Sequence, residues 1–210
     1  MIEYPKIETL YNRDAKTFKV LPDDLRCAEF GNVKRWSVTE KVDGTNVRIG
    51  YRFGGEVQFG GRTDNAQMPT TLVNYLRRTF TAENMAAVFA TTDADVTLFG
   101  EGYGGNIQKG GIYRPDPSFR LFDVRVGEWW LEPESVSDIA SLLGISTVPT
   151  LLVIGDLPRT ADDLKAIIPQ TLVCEGGTGG RAEGIVARTY PLMLNRRGER
   201  IMWKLKFKDF

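Results

Sequence analysis

An α+β domain of antiparallel sheets with flanking helices is the architecture this sequence predicts, on three observations. Strand-like runs recur near residues 35–41, 45–53, 56–60, 95–101, 119–126, 128–132, 183–189 and 200–207. Segments with helical spacing or helix caps interrupt them rather than pairing one to one with them. A chain of 210 residues that is 42% hydrophobic and 26% charged can bury a sizeable core, and it is read as a single domain spanning 1–210.

The elements follow in order. Trp36, Val38 and Glu40 alternate along the first run, and Val57 to Phe59 form a short one. A helix starts at Pro69 or Thr70 and runs to about Ala90, with Leu72, Tyr75, Leu76 and Phe80 at helical spacing. An apolar run begins at Val96. In the 119–126 strand, alternation puts Phe119 and Leu121 on one face and Phe122 on the other. Ser135 to Leu143 reads as a helix with a serine cap and Gly144 just past its end. Thr160 to Ile168 reads as a short helix with Thr160 as its cap and Asp162 and Asp163 in its first turn. Gly176 to Gly180 lacks the lysine and the strand–helix context of a phosphate loop and reads as a plain linker. Asn195 to Gly198 looks like a turn. In the last strand Lys204 and Lys206 share one face, and Leu205 and Phe207 are free to pack on the other.

Composition narrows the chemistry. The chain contains no histidine, which excludes imidazole general bases and the Ser-His-Asp and Cys-His nucleophile systems. Lysine, carboxylate and metal would have to do the work. Cys27 and Cys174 are isolated and read as two reduced thiols. There is no signal-peptide pattern and no apolar run long enough to span a membrane. Net charge is zero, from 27 Lys+Arg against 27 Asp+Glu, so any polynucleotide must be held by a local basic surface. Arg196, Arg197, Arg200, Lys204, Lys206 and Lys208 crowd the tail and are the best candidates for one, although a solvated hairpin face explains the arginines equally well.

Lys41-Val42-Asp43-Gly44-Thr45-Asn46 is the most informative stretch. Alone, a lysine before an Asp-Gly turn is found in many unrelated proteins. Here it is followed in order by Gly61-Arg62-Thr63, Gly100-Glu101-Gly102, Phe119-Arg120-Leu121-Phe122-Asp123-Val124, Glu183-Gly184-Ile185-Val186 and Lys204-Leu205-Lys206. This series resembles the covalent nucleotidyltransferase superfamily of polynucleotide ligases and mRNA capping enzymes, and the resemblance spans residues 41 to 206. Asn46, and the opening Tyr4 to Tyr11, bring the chain nearest to ATP-dependent RNA ligases of the RNA ligase 2-like, phage type.

The resemblance implies an ATP-grasp-like nucleotidyltransferase domain. No C-terminal OB domain is expected, since the chain ends four residues after Lys206. It implies ping-pong chemistry in which Lys41 takes AMP from ATP, passes it to a 5′-phosphate, and a 3′-hydroxyl then displaces it. Lys204 and Lys206 would contact the α-phosphate, and Arg62 would grip phosphate near the reacting ends. Asp43 would act on the 3′-hydroxyl or on metal, or shape the turn. Glu183 and Asn46 would hold Mg²⁺, or Mn²⁺, or its waters. Glu101 would accept from a ribose hydroxyl, Phe119 would stack on the purine with Val186 on its opposite face, and Glu40 would touch the base. The expected partner is RNA, as a nicked duplex or free ends, with DNA or a hybrid left open. No membrane is involved, a protein partner could replace the C-terminal domain, and the setting is the cytoplasm of a bacterial or phage-infected cell. The alternatives are an ATP-dependent DNA ligase, a GTP-using guanylyltransferase, and a non-catalytic module that binds nucleotide or RNA ends.

Overall fold

The computed structural model describes residues 1–52 and 54–210. In chain order its elements are β1 (Tyr11–Arg13), β2 (Val20–Leu25), β3 (Trp36–Lys41), β4 (Thr45–Tyr51), β5 (Gln58–Gly60), α1 (Thr70–Thr79), α2 (Ala82–Val88), β6 (Val96–Tyr103), β7 (Ser118–Val126) and β8 (Trp129–Trp130). These are followed by α3 (Pro133–Leu142), β9 (Ser146–Thr147), β10 (Thr150–Ile154), α4 (Ala161–Ile167), β11 (Gly184–Thr189) and β12 (Met202–Lys206). The strand expected over 45–53 is formed to Tyr51, and Phe53 lies outside the described residues. Among the described residues no helix is long and apolar enough to cross a membrane.

Contacts group the chain into two compact units. The first comprises Met1–Pro5, Asp43–Val148 and Cys174–Thr178; the second comprises Lys6–Val42, Pro149–Val173 and Gly179–Phe210.

The first unit is built on the sheet β5-β4-β6-β7-β8, antiparallel throughout, with β9 added parallel to β7. One sheet face carries Val47, Ile49, Leu98, Phe119 and Leu121, which pack with Leu72, Leu76, Phe80 and Met85 from α1 and α2 into one core. The single helix expected from Pro69 to Ala90 is two. Phe80 leaves helical geometry at φ −109°, ψ 79°, and Thr81 restarts it by accepting from the Asn84 N–H at 3.1 Å. A threonine that can cap competes with continuation, and here the cap wins. The helix α3 likewise starts earlier than its serine, with Pro133 in its first turn, where the missing N–H costs nothing.

The second unit is built on the antiparallel sheet β10-β3-β11-β12 and the β1–β2 hairpin. Trp36, Val38, Ile185, Ala187, Trp203 and Leu205 fill its core from one sheet face. Residue 160 caps α4 as its sequence suggests, in a reciprocal box: the Thr160 hydroxyl accepts from the Asp163 N–H, and the Asp163 carboxylate accepts from the Thr160 N–H. Among the described residues the strand β10 pairs only with β3, and it leaves Leu152 and Val153 exposed, so it lacks the alternation that marks a half-buried strand.

Candidate active site

The face of the second sheet opposite its core is a small lattice set by register. Lys41 on β3, Gly184 on β11 and Lys206 on β12 lie in one row. Thr39, Val186 and Lys204 lie in the next. With strands about 4.8 Å apart, the two outer lysines are separated by about 10 Å of sheet. Gly184 leaves the space between them clear. A Cβ there would lie 2.1 Å from the Leu205 carbonyl oxygen and 2.7 Å from Lys206 Cα, so only glycine fits between β3 and β12 at this point.

Glu183 precedes that glycine and receives both amines. Lys41 Nζ donates to Glu183 Oε2 at 2.6 Å, and Lys206 Nζ donates to Glu183 Oε1. The three side chains are 21%, 13% and 19% exposed for Lys41, Glu183 and Lys206, so the cluster is reachable from solvent but shielded enough for its charges to matter. Burial works against ionisation of Glu183, but the charge of Lys41, the hydrogen bonds from both lysines and the charge of Lys206 outweigh it. The carboxyl is held below its ordinary value. The two lysines are thus gathered on one carboxylate with Lys204 in the adjacent row.

The polar face of the first unit's sheet is organised in the same way. Asn46 pairs across with Glu101, and Glu101 with Arg120; in the next rows Arg48 pairs with Phe99 and Phe99 with Asp123. Arg48 is fully buried and donates to the Gly61 carbonyl at 2.6 Å, to the Met1 and Ile2 carbonyls at 3.1 Å each, and to Asp64 at 2.8 Å. It thereby fixes the turn that carries Arg62, which is exposed. The Asp43 N–H donates to Tyr113 Oη at 2.8 Å. Asn46 Oδ1 is buried and has no hydrogen-bond donor among the described residues. A buried acceptor without a donor costs free energy and marks a place for an external donor or cation.

Two expected ligand contacts are corrected. Phe119 is 1% exposed, lies in the core with Leu121, and meets Phe80 edge-on at 5.4 Å between ring centres. It sits on the face opposite Asn46 and Glu101, so it cannot share a pocket with them. A bulge between Leu121 and Asp123 shifts the register. Phe122, on the other face, is half-buried and meets Tyr4, whose ring also packs on Phe99 and Trp130 and whose hydroxyl donates to Asp123. Glu40 is 1% exposed and points to the core side of β3, away from Lys41. Its carboxylate accepts from the Thr171 hydroxyl and from the Leu172 N–H at 2.8 Å, so it pins a loop rather than facing a base. Val186 does lie on the lysine face, half-buried beside Lys204.

The sequence reading missed Glu175. Its carboxylate accepts from Tyr103 Oη at 2.9 Å, from Arg114 at 2.8 Å and from Arg120 at 2.6 Å. Burial opposes its ionisation, yet the hydrogen bonds from Tyr103 and Arg120 and the charges of both arginines hold its pKa below the ordinary range. Arg120 was legible in retrospect, because alternation sets it opposite Phe119 and in register with Glu101. The Gly176–Gly180 segment is no plain linker at its start. The Gly177 N–H donates to the Tyr113 carbonyl, the Thr178 N–H donates to the Gly111 carbonyl, and a Cβ at Gly177 would lie 2.5 Å from Tyr113 backbone.

A divalent metal fits donors in each unit taken by itself. In the second unit Glu183 supplies two hard oxygens, and in the first Asn46 supplies an orphaned one. Among the described residues no group of three or more acidic or cysteine side chains could hold a metal alone. That suits Mg²⁺ or Mn²⁺, which is bound by one or two protein oxygens and completed by phosphate and water.

Comparison with known proteins defines the class to which this fold belongs. The chain is 98% covered by solved structures of an RNA ligase from Naegleria gruberi. These are a glutamate-to-alanine variant with ATP and Mn (18% identity, TM-score 0.64), the ligase with PPi (19%, 0.64) and another glutamate-to-alanine variant with AMP and Mn (18%, 0.65). At that identity the likeness establishes a common fold. The RNA ligase family model matches residues 34–206, and the chain belongs to that family. It spans 56% of the length of those Naegleria ligase chains. No curated protein matches it.

Proposed function

We propose that this protein is an ATP-dependent RNA ligase whose two compact units make up an adenylyltransferase domain and whose nucleophile is Lys41. The observation that carries the reading is the Lys41–Glu183–Lys206 array on one sheet face, with Lys204 beside it. The ligands of the Naegleria ligase structures are the substrate ATP, the nucleotide AMP and the product PPi of the first half-reaction this array would perform.

In that half-reaction the Lys41 Nζ lone pair forms a bond to the α-phosphorus of ATP. The bond from phosphorus to the bridging oxygen breaks, and pyrophosphate leaves with its electron pair. The attacking amine releases one of its two protons to solvent, and Nζ remains as the N–H of a phosphoramidate of AMP. A 5′-phosphate oxygen next takes the AMP, and a 3′-hydroxyl then displaces it. Positioning and neutralisation of phosphate charge dominate such transfers. Bound to Glu183, Lys41 is held as an ammonium and has no lone pair. A divalent cation bound with the phosphates would draw on the Glu183 carboxylate and supply the charge that weakens its hold on Lys41. The neighbouring Lys206 and Lys204 then favour loss of the Lys41 proton and meet the charge on the α-phosphate. Mg²⁺ or Mn²⁺ would be held through Glu183, and would neutralise the leaving pyrophosphate. Glu101 would accept from a ribose hydroxyl, Arg62 would hold a phosphate of the reacting ends, and Asp43 would act at the 3′-hydroxyl.

The test is transfer of label from nucleotide radiolabelled on the α-phosphate. Label from ATP on the denatured chain, chased onto a 5′-phosphorylated RNA, supports the reading. Label from GTP alone moves it to capping chemistry, and no label from either in protein that binds ATP leaves a binding module.

A further inference from the structure

Resting on the polynucleotide reading above, we infer that an open groove beside β12, which shares Lys204 and Lys206 with the lysine cluster but contains neither Lys41 nor Glu183, grips a single strand of the RNA substrate. The β1–β2 hairpin forms one wall and the tail after β12 the other. The segment Glu8 to Leu10 pairs along β12 through the Lys204 N–H to the Glu8 carbonyl at 3.0 Å and the Leu10 N–H to the Lys204 carbonyl at 3.1 Å. That pairing places the hairpin against the lysine strand. The groove holds about 830 Å³ and is lined by seven cationic side chains, Lys19, Arg26, Lys204, Lys206 and Lys208 among them, against two acids, Glu8 and Asp209, among the described residues. In a chain of zero net charge this is a local excess of positive charge aimed at a polyanion.

The second observation is Phe18 at the hairpin tip. It is 69% exposed, lines the same groove, and holds φ at +58°, a conformation that a bulky side chain rarely adopts. The turn that imposes it is tightly built. Asp14 accepts from the Thr17 N–H at 2.7 Å and from the Lys16 N–H at 3.0 Å, its own N–H donates to the Lys19 carbonyl, and Arg13 donates to the Phe18 carbonyl at 2.7 Å. An exposed aromatic in strained backbone gains nothing for the fold, since neither burial nor conformational preference supports it. Placed among cations, it is the combination that binds single strands: charges for the phosphates and a flat ring for a base.

The experiment measures affinity of the full chain for a short 5′-phosphorylated single-stranded RNA across a salt series, with lysyl-AMP formation measured in parallel. Phe18→Asn relaxes the backbone, so the fold is kept while the ring is lost. We expect its RNA affinity to fall about 5- to 150-fold, the range for one stacked base, with lysyl-AMP formation unchanged. Lys208→Glu should lower the slope of log affinity against log salt by about 0.7 for its phosphate contact. RNA binding equal to wild type in both variants overturns the inference. So does a loss confined to lysyl-AMP formation, which would make the groove a site for the triphosphate of ATP, and so does a wild-type chain that binds no RNA. A chain that binds RNA through Phe18 but never forms lysyl-AMP keeps the groove and removes the ligase reading.

Discussion

Gly184→Ala is the smallest change that should disable the lysine cluster. Gly184 lies between Lys41 and Lys206 in the sheet, and the added methyl would sit 2.1 Å from the Leu205 oxygen and 2.7 Å from Lys206 Cα. Ordinary carbon contacts begin near 3.5 Å, so more than 1 Å of separation must be found. Both obstacles are backbone, held by the β11–β12 ladder from Gly184–Lys206 to Arg188–Met202, and no rotamer change relieves them. The strand end must open, which adds lost ladder hydrogen bonds to the overpacking cost. Overpacking typically costs 1–3 kcal/mol and one ladder bond about 1 kcal/mol more, so about 3 kcal/mol is expected. Urea unfolding reads this directly; with a slope of about 2–3 kcal/mol per M, the midpoint falls by about 1–1.5 M. Gly111→Ala is the matched control, because a Cβ there meets nothing within 4 Å. Opening this strand end also moves Lys206 away from Glu183, so lysyl-AMP formation should fall more than tenfold under conditions where the variant is still folded. A Gly184→Ala protein within about 0.5 kcal/mol of wild type and fully active would refute both the register and the role given to this position.

Phe119→Ala should behave as a core truncation and cost about 3–5 kcal/mol, while Phe119→Leu should retain ATP binding; loss of ATP binding with little loss of stability would restore Phe119 as a nucleotide contact. Glu183 has its folded-state pKa lowered, so its contribution to stability is present above its unfolded value, near 4.5, and is lost as pH falls through the folded value. Denaturation of Glu183→Gln as a function of pH should therefore show a shallower acid limb than wild type below about pH 4.5; parallel limbs would contradict the lysine pairing. Thr160→Ala removes the cap of α4 and should cost about 1 kcal/mol by denaturation with no change in lysyl-AMP formation.

The sequence was most readable where period and register coincide. Alternation in β12 put Lys204 and Lys206 on one face, and the structure places them with Lys41 on one face of one sheet, with Glu183 bridging Lys41 and Lys206. The same rule failed at Phe119 and Phe122. Alternation separated their faces correctly but could not say which face was the core, and the bulge at Leu121–Asp123 is invisible to a two-residue period. Glu40 was assigned by its place beside the nucleophile, although a strand turns adjacent residues to opposite faces. The Glu175 network joins residues 103, 114, 120 and 175, and no local pattern announces a contact over such separations. Apolar β10 escaped because an exposed edge strand with Leu152 and Val153 in succession has neither helical nor alternating period.

The central claim is that Lys41 carries the nucleotide. Its most direct test is peptide mass mapping of the intact protein after incubation with ATP and Mg²⁺. A mass gain of one AMP per chain, assigned to Lys41 and absent from Lys41→Ala, is the predicted result. AMP on Lys204 or Lys206, or no adduct on a chain that binds ATP, would contradict the account.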